Sequence, residues 1–171
     1  MKNHVRGFIA VAVFLLAAAN LRASDIPACG AAPLPKGIYQ VSSRFGMRLH
    51  PLSKAWQMHR GVDLACPTGT PVSAVGNGIV FFAGRWGCYG KVVVLQHPGN
   101  VVTLYAHLSQ VKVRRGWPVR QGEVIGAVGA TGCVTGSHLH FELWMRSQRV
   151  NPLARCAALR VPEVKQSWPH S

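Results

Sequence analysis

Two histidines flank a single residue in His138-Leu139-His140, and far upstream His59-Arg60-Gly61-Val62-Asp63 sets a histidine four residues before a carboxylate. Side chains alternate along a strand, so in extended backbone His138 and His140 share a face, and so do His59 and Asp63. Imidazole nitrogens and a carboxylate oxygen converging from two strands make a zinc site. A catalytic zinc takes three such protein ligands and keeps a fourth position for water. A further histidine, in Tyr105-Ala106-His107-Leu108, adds a group able to move a proton. Together these residues point to a metallohydrolase. His4 and His170 lie near the chain ends, and His97 precedes the turn Pro98-Gly99-Asn100. His50, in Arg48-Leu49-His50-Pro51, stays open as a neighbour of the site.

Short β-like runs must position these groups. Val72–Val75, Gly78–Ala83, Lys91–Gln96, Val101–Ala106, Glu123–Val128 and Leu139–Met145 are rich in β-branched and aromatic residues. Turn signals such as Pro67-Thr68-Gly69, Gly76-Asn77-Gly78, Arg115-Gly116 and the glycines of 129–136 separate them. Helical periodicity is almost absent. The pattern predicts an all-β, antiparallel domain of sandwich or barrel type.

The chain has 171 residues, and its first 23 read as a signal peptide: Lys2 and Arg6, then an uncharged stretch from Gly7 to Leu21, then Leu21-Arg22-Ala23. The apolar part is shorter than the ~20 residues of a membrane span. An uncleaved leader would be the single membrane attachment. Residues 24–37 read as a lead-in arm, 38–156 as the catalytic domain and 157–171 as a basic tail. Loss of residues 1–23 removes Lys2, Arg6 and Arg22 and no acid, taking the formal charge from +14 to +11. Such a balance favours polyanionic partners. For an exported protein, in the periplasm or the extracellular wall space, these are anionic envelope polymers. Export and the lack of a recognition helix or base-stacking pattern argue against nucleic acid.

Five cysteines in an exported chain imply disulfides and one leftover thiol. Cys88 and Cys133 both sit in glycine-rich loops, so a bridge between them is the first choice. Cys29 and Cys156 flank the domain and pair if its ends meet, leaving Cys66 as a buried thiol. Five cysteines also allow other pairings.

Several ordered motifs resemble the lysostaphin/LytM-type zinc peptidases. They are Ser43-Arg44-Phe45-Gly46-Met47-Arg48, His59-Arg60-Gly61-Val62-Asp63, Pro67-Thr68-Gly69-Thr70-Pro71-Val72, Thr103-Leu104-Tyr105-Ala106-His107-Leu108-Ser109, Gly126–Gly132, and Thr135-Gly136-Ser137-His138-Leu139-His140-Phe141-Glu142. The resemblance runs from about Val41 to Leu153. It implies a compact antiparallel β domain (a barrel-sandwich hybrid) with one zinc per chain, held by His59, Asp63 and His140. It also implies that His107 and His138 act as catalytic histidines, and that the substrate is a peptide cross-link of peptidoglycan. Glu142, next on the same face, is expected to support a ligand rather than to be one. The family's oxyanion donor has no evident equivalent here; Tyr39 is the nearest upstream tyrosine. Trp86 and Tyr89 either line a peptide groove or pack on glycines. The competing readings are a non-catalytic relative that binds wall or activates an amidase, and a cysteine hydrolase using Cys133.

Overall fold

Alternation of apolar and polar positions works out as two stacked antiparallel sheets. The computed structural model describes residues 29–49 and 55–159. The expected signal peptide, His4, His50, His170 and residues 160–171 of the expected tail lie outside the described residues. The strands are β1 (Gln40–Ser43), β2 (Gly46–Leu49), β3 (Trp56–His59), β4 (Val62–Ala65), β5 (Pro71–Ser73), β6 (Gly78–Arg85) and β7 (Lys91–His97). They continue as β8 (Val101–Leu108), β9 (Gln110–Val111), β10 (Pro118–Val119), β11 (Val124–Ala127), β12 (His138–Met145) and β13 (Gln148–Val150), followed by a short helix α1 (Pro152–Arg155).

The large sheet runs β1-β4-β12-β8-β7-β6-β10, with β13 added to β12. A three-stranded sheet, β5-β11-β9, packs on it, and β2-β3 form a separate hairpin. Between the sheets lies the main core. Tyr105, Leu139, Phe141 and Leu143 from one face of the large sheet meet Val72, Ile125 and Val128. The Tyr105 hydroxyl, buried there, accepts from Val75 N–H at 3.1 Å. A second cluster covers the opposite face of the large sheet: Val92, Val94, Val102, Leu104 and Ala106, flanked by Phe81, Phe82, Trp86 and Trp144. β8 is therefore buried along its whole length, which explains its nearly unbroken apolar run.

The structure departs from the sequence reading at one place in the site. His59 and Asp63 do not share one strand, because the chain breaks at Arg60-Gly61 between β3 of the hairpin and β4 of the large sheet. A Cβ on Gly61 would overlap the Phe141 carbonyl oxygen and lie 2.9 Å from His140 Cε1, so only glycine lets the turn close on β12. The arm is tied down from Cys29 onward: Leu34 is buried, Ala31 N–H donates to the Val75 carbonyl, and Ser73 N–H to that of Pro33. The packed region also continues past 156, since Leu159 is fully buried.

Disulfides join Cys29 to Cys156 and Cys88 to Cys133, and Cys66 is a free, buried thiol. The first closes a loop of 127 residues, and such a constraint on the unfolded chain stabilises by roughly 2–4 kcal/mol. Two outcomes follow. The unreduced protein exposes a single thiol to an aromatic disulfide reagent, and only after unfolding. The Cys29→Ser/Cys156→Ser variant loses about 2–4 kcal/mol in denaturant titration.

Candidate active site

Strand register brings the sequence-distant groups together. His140 on β12 stands directly opposite Asp63 on β4 and, on its other side, opposite Ala106 on β8. Alternation then sets His138, His140 and Glu142 on the face away from the main core, while Leu139 and Phe141 point into it. His59 closes β3 and reaches over from the hairpin: its Nε2 lies 3.1 Å from Asp63 Oδ1 and 3.2 Å from His140 Nδ1. His140 Nδ1 in turn lies 2.7 Å from Asp63 Oδ1.

His107 follows Ala106, so plain alternation would turn it toward the main core. Its backbone instead takes a φ of 62°, a left-handed conformation rare outside glycine. That distortion costs on the order of 1–3 kcal/mol and turns the ring to the site face, 4.7 Å from the His138 ring centroid. All five residues expected to act at the site therefore converge on one cleft of about 570 Å³.

Each imidazole is fixed by the nitrogen that points away from the centre. His59 Nδ1 lies 2.8 Å from the Arg44 carbonyl, His107 Nδ1 2.9 Å from that of Thr131, and His138 Nδ1 2.9 Å from that of Gly136. His140 Nε2 lies 3.2 Å from Glu142 Oε1. Carbonyl oxygens and ionised carboxylates only accept, so those outer nitrogens carry hydrogens; the inner nitrogen of each neutral ring presents a lone pair, and that of His140 does so once a cation displaces its proton. Three such acceptors, on His59, Asp63 and His140, pack within 2.7–3.2 Å of each other. That donor set fits a cation, and an outer hydrogen bond on each ligand imidazole is the usual support for one.

Electrostatics agree. Burial works against charge on His140, yet hydrogen bonds and charges from Asp63 and Glu142 outweigh it and raise its pKa to about 9. The same two carboxylates favour a cation at its Nδ1. Burial would also raise the Asp63 carboxyl, but the His140 and His59 hydrogen bonds hold it far below the usual range. For His107 burial dominates and pulls the ring down to about 4, so it stays neutral.

Glu142 is buried and is the acceptor for four donors. Oε1 takes Tyr89 Oη–H at 2.5 Å and His140 Nε2–H at 3.2 Å; Oε2 takes Trp144 Nε1–H at 2.8 Å and Arg149 Nε–H at 2.9 Å. Only an ionised carboxylate satisfies all four. Burial opposes that charge, and the bonds from His140, Arg149 and Tyr89 win, bringing the pKa to about 2.

Sequence reasoning missed Arg48, whose guanidinium lies 3.4 Å from Asp63 Oδ2 and donates to Ser43 Oγ at 2.7 Å. Its place in the Ser43–Arg48 motif was the available signal. Tyr89 lines the cleft, whereas Trp86 packs on the second core cluster. Tyr39 is buried in the main core, away from the cleft. Cys133 is bonded to Cys88 and offers no nucleophile. His97 serves the fold, its Nδ1–H reaching the Asn77 carbonyl and its Nε2 the Thr103 hydroxyl.

Comparison with known proteins places the chain among peptidases of known type. The chain is 48% identical over 128 residues to the DD-carboxypeptidase/endopeptidase Mpg of Neisseria meningitidis, which covers 75% of this chain and 29% of that protein. It is 43% identical over 116 residues to the peptidoglycan DD-endopeptidase ShyA of Vibrio cholerae, covering 67% of this chain and 27% of the other. The chain thus spans under a third of the length of these relatives. The crystal structure of a zinc-containing peptidase from Vibrio cholerae superposes with a TM-score of 0.67 at 36% identity, covering 71% of this chain and 38% of that one. Residues 57–152, which contain all five converging side chains, match the description Peptidase family M23, and the chain belongs to that family.

Proposed function

We propose that the protein is an exported zinc metalloendopeptidase that hydrolyses peptide cross-links of peptidoglycan, acting in the periplasm or the extracellular wall space. One observation carries the reading: His59, Asp63 and His140 bring three donor atoms within 2.7–3.2 Å of each other in an open cleft, with His107 and His138 beside them. His59, Asp63 and His140 would hold the metal. A zinc ion with two neutral imidazoles and one carboxylate keeps net positive charge, enough to polarise a scissile carbonyl and acidify a water.

The remaining steps belong to the chain. His107 and His138 have no place in the ligand set, and their unprotonated Nε2 atoms face the cleft. Either can take the proton of the attacking water, and the imidazolium so formed can return it to the leaving amine. The Thr131 and Gly136 carbonyls hold those rings in the tautomer that the task needs. Arg48, on the hairpin, and Asp63, on β4, form one charged wall of the cleft. The substrate class draws on the Neisseria and Vibrio relatives, and the expected leader supports export. The complete set of five side chains argues against a role limited to binding.

Purified sacculi and mass spectrometry of the released fragments test this. Peptide-bond cleavage disappears with a chelator and returns with zinc. His138→Ala lowers turnover by at least about 100-fold while zinc content stays at one per chain. Loss of zinc in that variant would sink the division of roles. Glu142→Gln puts an amide NH₂ against donors, and zinc affinity measured by competition with a chromophoric chelator falls about 10- to 100-fold. Unchanged affinity would leave Glu142 a purely structural residue.

A further inference from the structure

The described surface is nearly without negative charge. Its carboxylates are Asp63 and Glu142, both buried at the site, and Glu123, which is exposed. Lys112, Arg114, Arg115 and Arg120 crowd into nine residues around the β9–β10 connection, and all four are exposed. Among the described residues, the Lys and Arg side chains in ion pairs are Arg48 and Arg149, so none of these four is neutralised. Glu123 sits nearby, where its Oε2 accepts the backbone N–H of Arg120 at 2.9 Å.

At the centre of this cluster Trp117 is 48% exposed, and the Arg114 guanidinium lies 5.8 Å from its ring centroid. Arg115 stands 6.0 Å over the Phe81 ring, and Ile79, paired opposite Pro118, is 51% exposed. The platform is rigid: Val80 N–H donates to the Trp117 carbonyl at 2.9 Å, Gly116 N–H to that of Val80 at 2.8 Å, and Trp117 N–H to that of Arg114 at 3.1 Å. None of these residues lines the cleft, and β6 and β10 end the large sheet opposite β1 and β4. Concentrating like charge around an exposed indole opposes folding, and among the described residues no salt bridge to these four side chains offsets it.

We infer that this platform is a second binding site, for an anionic glycan: a sugar ring stacks on Trp117 while carboxylates are taken by Arg114, Arg115 and their neighbours. Planar guanidinium forks match carboxylates in pairs, and arginine predominates here. A lipid surface would call for an apolar tip that projects, whereas Trp117 is half-covered and followed at once by Pro118 in a paired strand. The proposal rests on the wall-hydrolase reading for the identity of the glycan, peptidoglycan, whose stem peptides bear free carboxylates. Holding the polymer at one point raises the effective concentration of its cross-links at the cleft.

The test uses the zinc-loaded full chain, its Arg114→Gln/Arg115→Gln variant and Trp117→Ala. Co-sedimentation with intact sacculi is measured across a salt series, and cleavage of a small soluble cross-linked fragment is measured in parallel. Circular dichroism and thermal midpoints confirm that the variants fold, and Arg115→Glu serves as a second probe by charge reversal. Sacculus binding weakens about tenfold in the double variant, with a shallower salt dependence, and also weakens in Trp117→Ala. Cleavage of the soluble fragment stays within about twofold of wild type, since the platform touches no reacting atom. Unchanged sacculus binding in the variants overturns the proposal. So does equally tight binding to phosphatidylglycerol vesicles or to heparin through the same residues, which would make the platform a lipid or general polyanion surface. If the wild type fails to cut the soluble fragment, the peptidase reading fails, and sacculus retention still decides the platform.

Discussion

His140 and Asp63 face each other across β12 and β4, and the cleft exists only in that register. A slip of one residue would bury His138, His140 and Glu142 in the main core and expose Leu139, Phe141 and Leu143. Those three side chains are fully or almost fully buried, and each contributes about 1.5–3 kcal/mol by leaving water. Apolar burial on one face of β12 therefore specifies the positions of the polar groups on the other. Core packing and site geometry are two consequences of the same pairing.

Around that pairing the chain concentrates its few acids. Asp63 and Glu142 bracket His140, and both are held ionised by the donors that surround them. A basic protein thus contains one local centre that favours a cation, beside a surface that favours anions. Such a division suits the proposed hydrolase, whose metal and polymeric substrate would carry opposite charges.

Loops complete what the strands begin. The Thr131 and Gly136 carbonyls that orient His107 and His138 belong to the segment between β11 and β12, and Tyr89 reaches Glu142 from the turn after β6. The Cys88–Cys133 disulfide joins those two segments, and Cys133 N–H also donates to the Cys88 carbonyl at 2.9 Å. Groups that orient the site histidines are thereby tied together by a covalent bond as well as a backbone hydrogen bond.

The residue types and spacings in the chain were enough to nominate five side chains that the fold brings to one cleft. Histidines two apart in an extended run share a face whatever surrounds them, and turn glycines between β-branched runs exclude a helical domain. The cysteine pairs, which the sequence left among several possibilities, are the ones the structure joins. Other features depended on contacts between residues far apart in the chain. The hairpin break at Gly61 is dictated by the Phe141 carbonyl, and Arg48 meets Asp63 only once β2 folds over β4. The four donors on Glu142 come from Tyr89, His140, Trp144 and Arg149. The left-handed turn at His107, which moves it from the core face to the site face, has no local signature, since only the surrounding packing can sustain that strain. Alternation along a strand is a local property and can be read from order alone; strain and hydrogen-bond satisfaction are settled by neighbours that only the tertiary structure supplies.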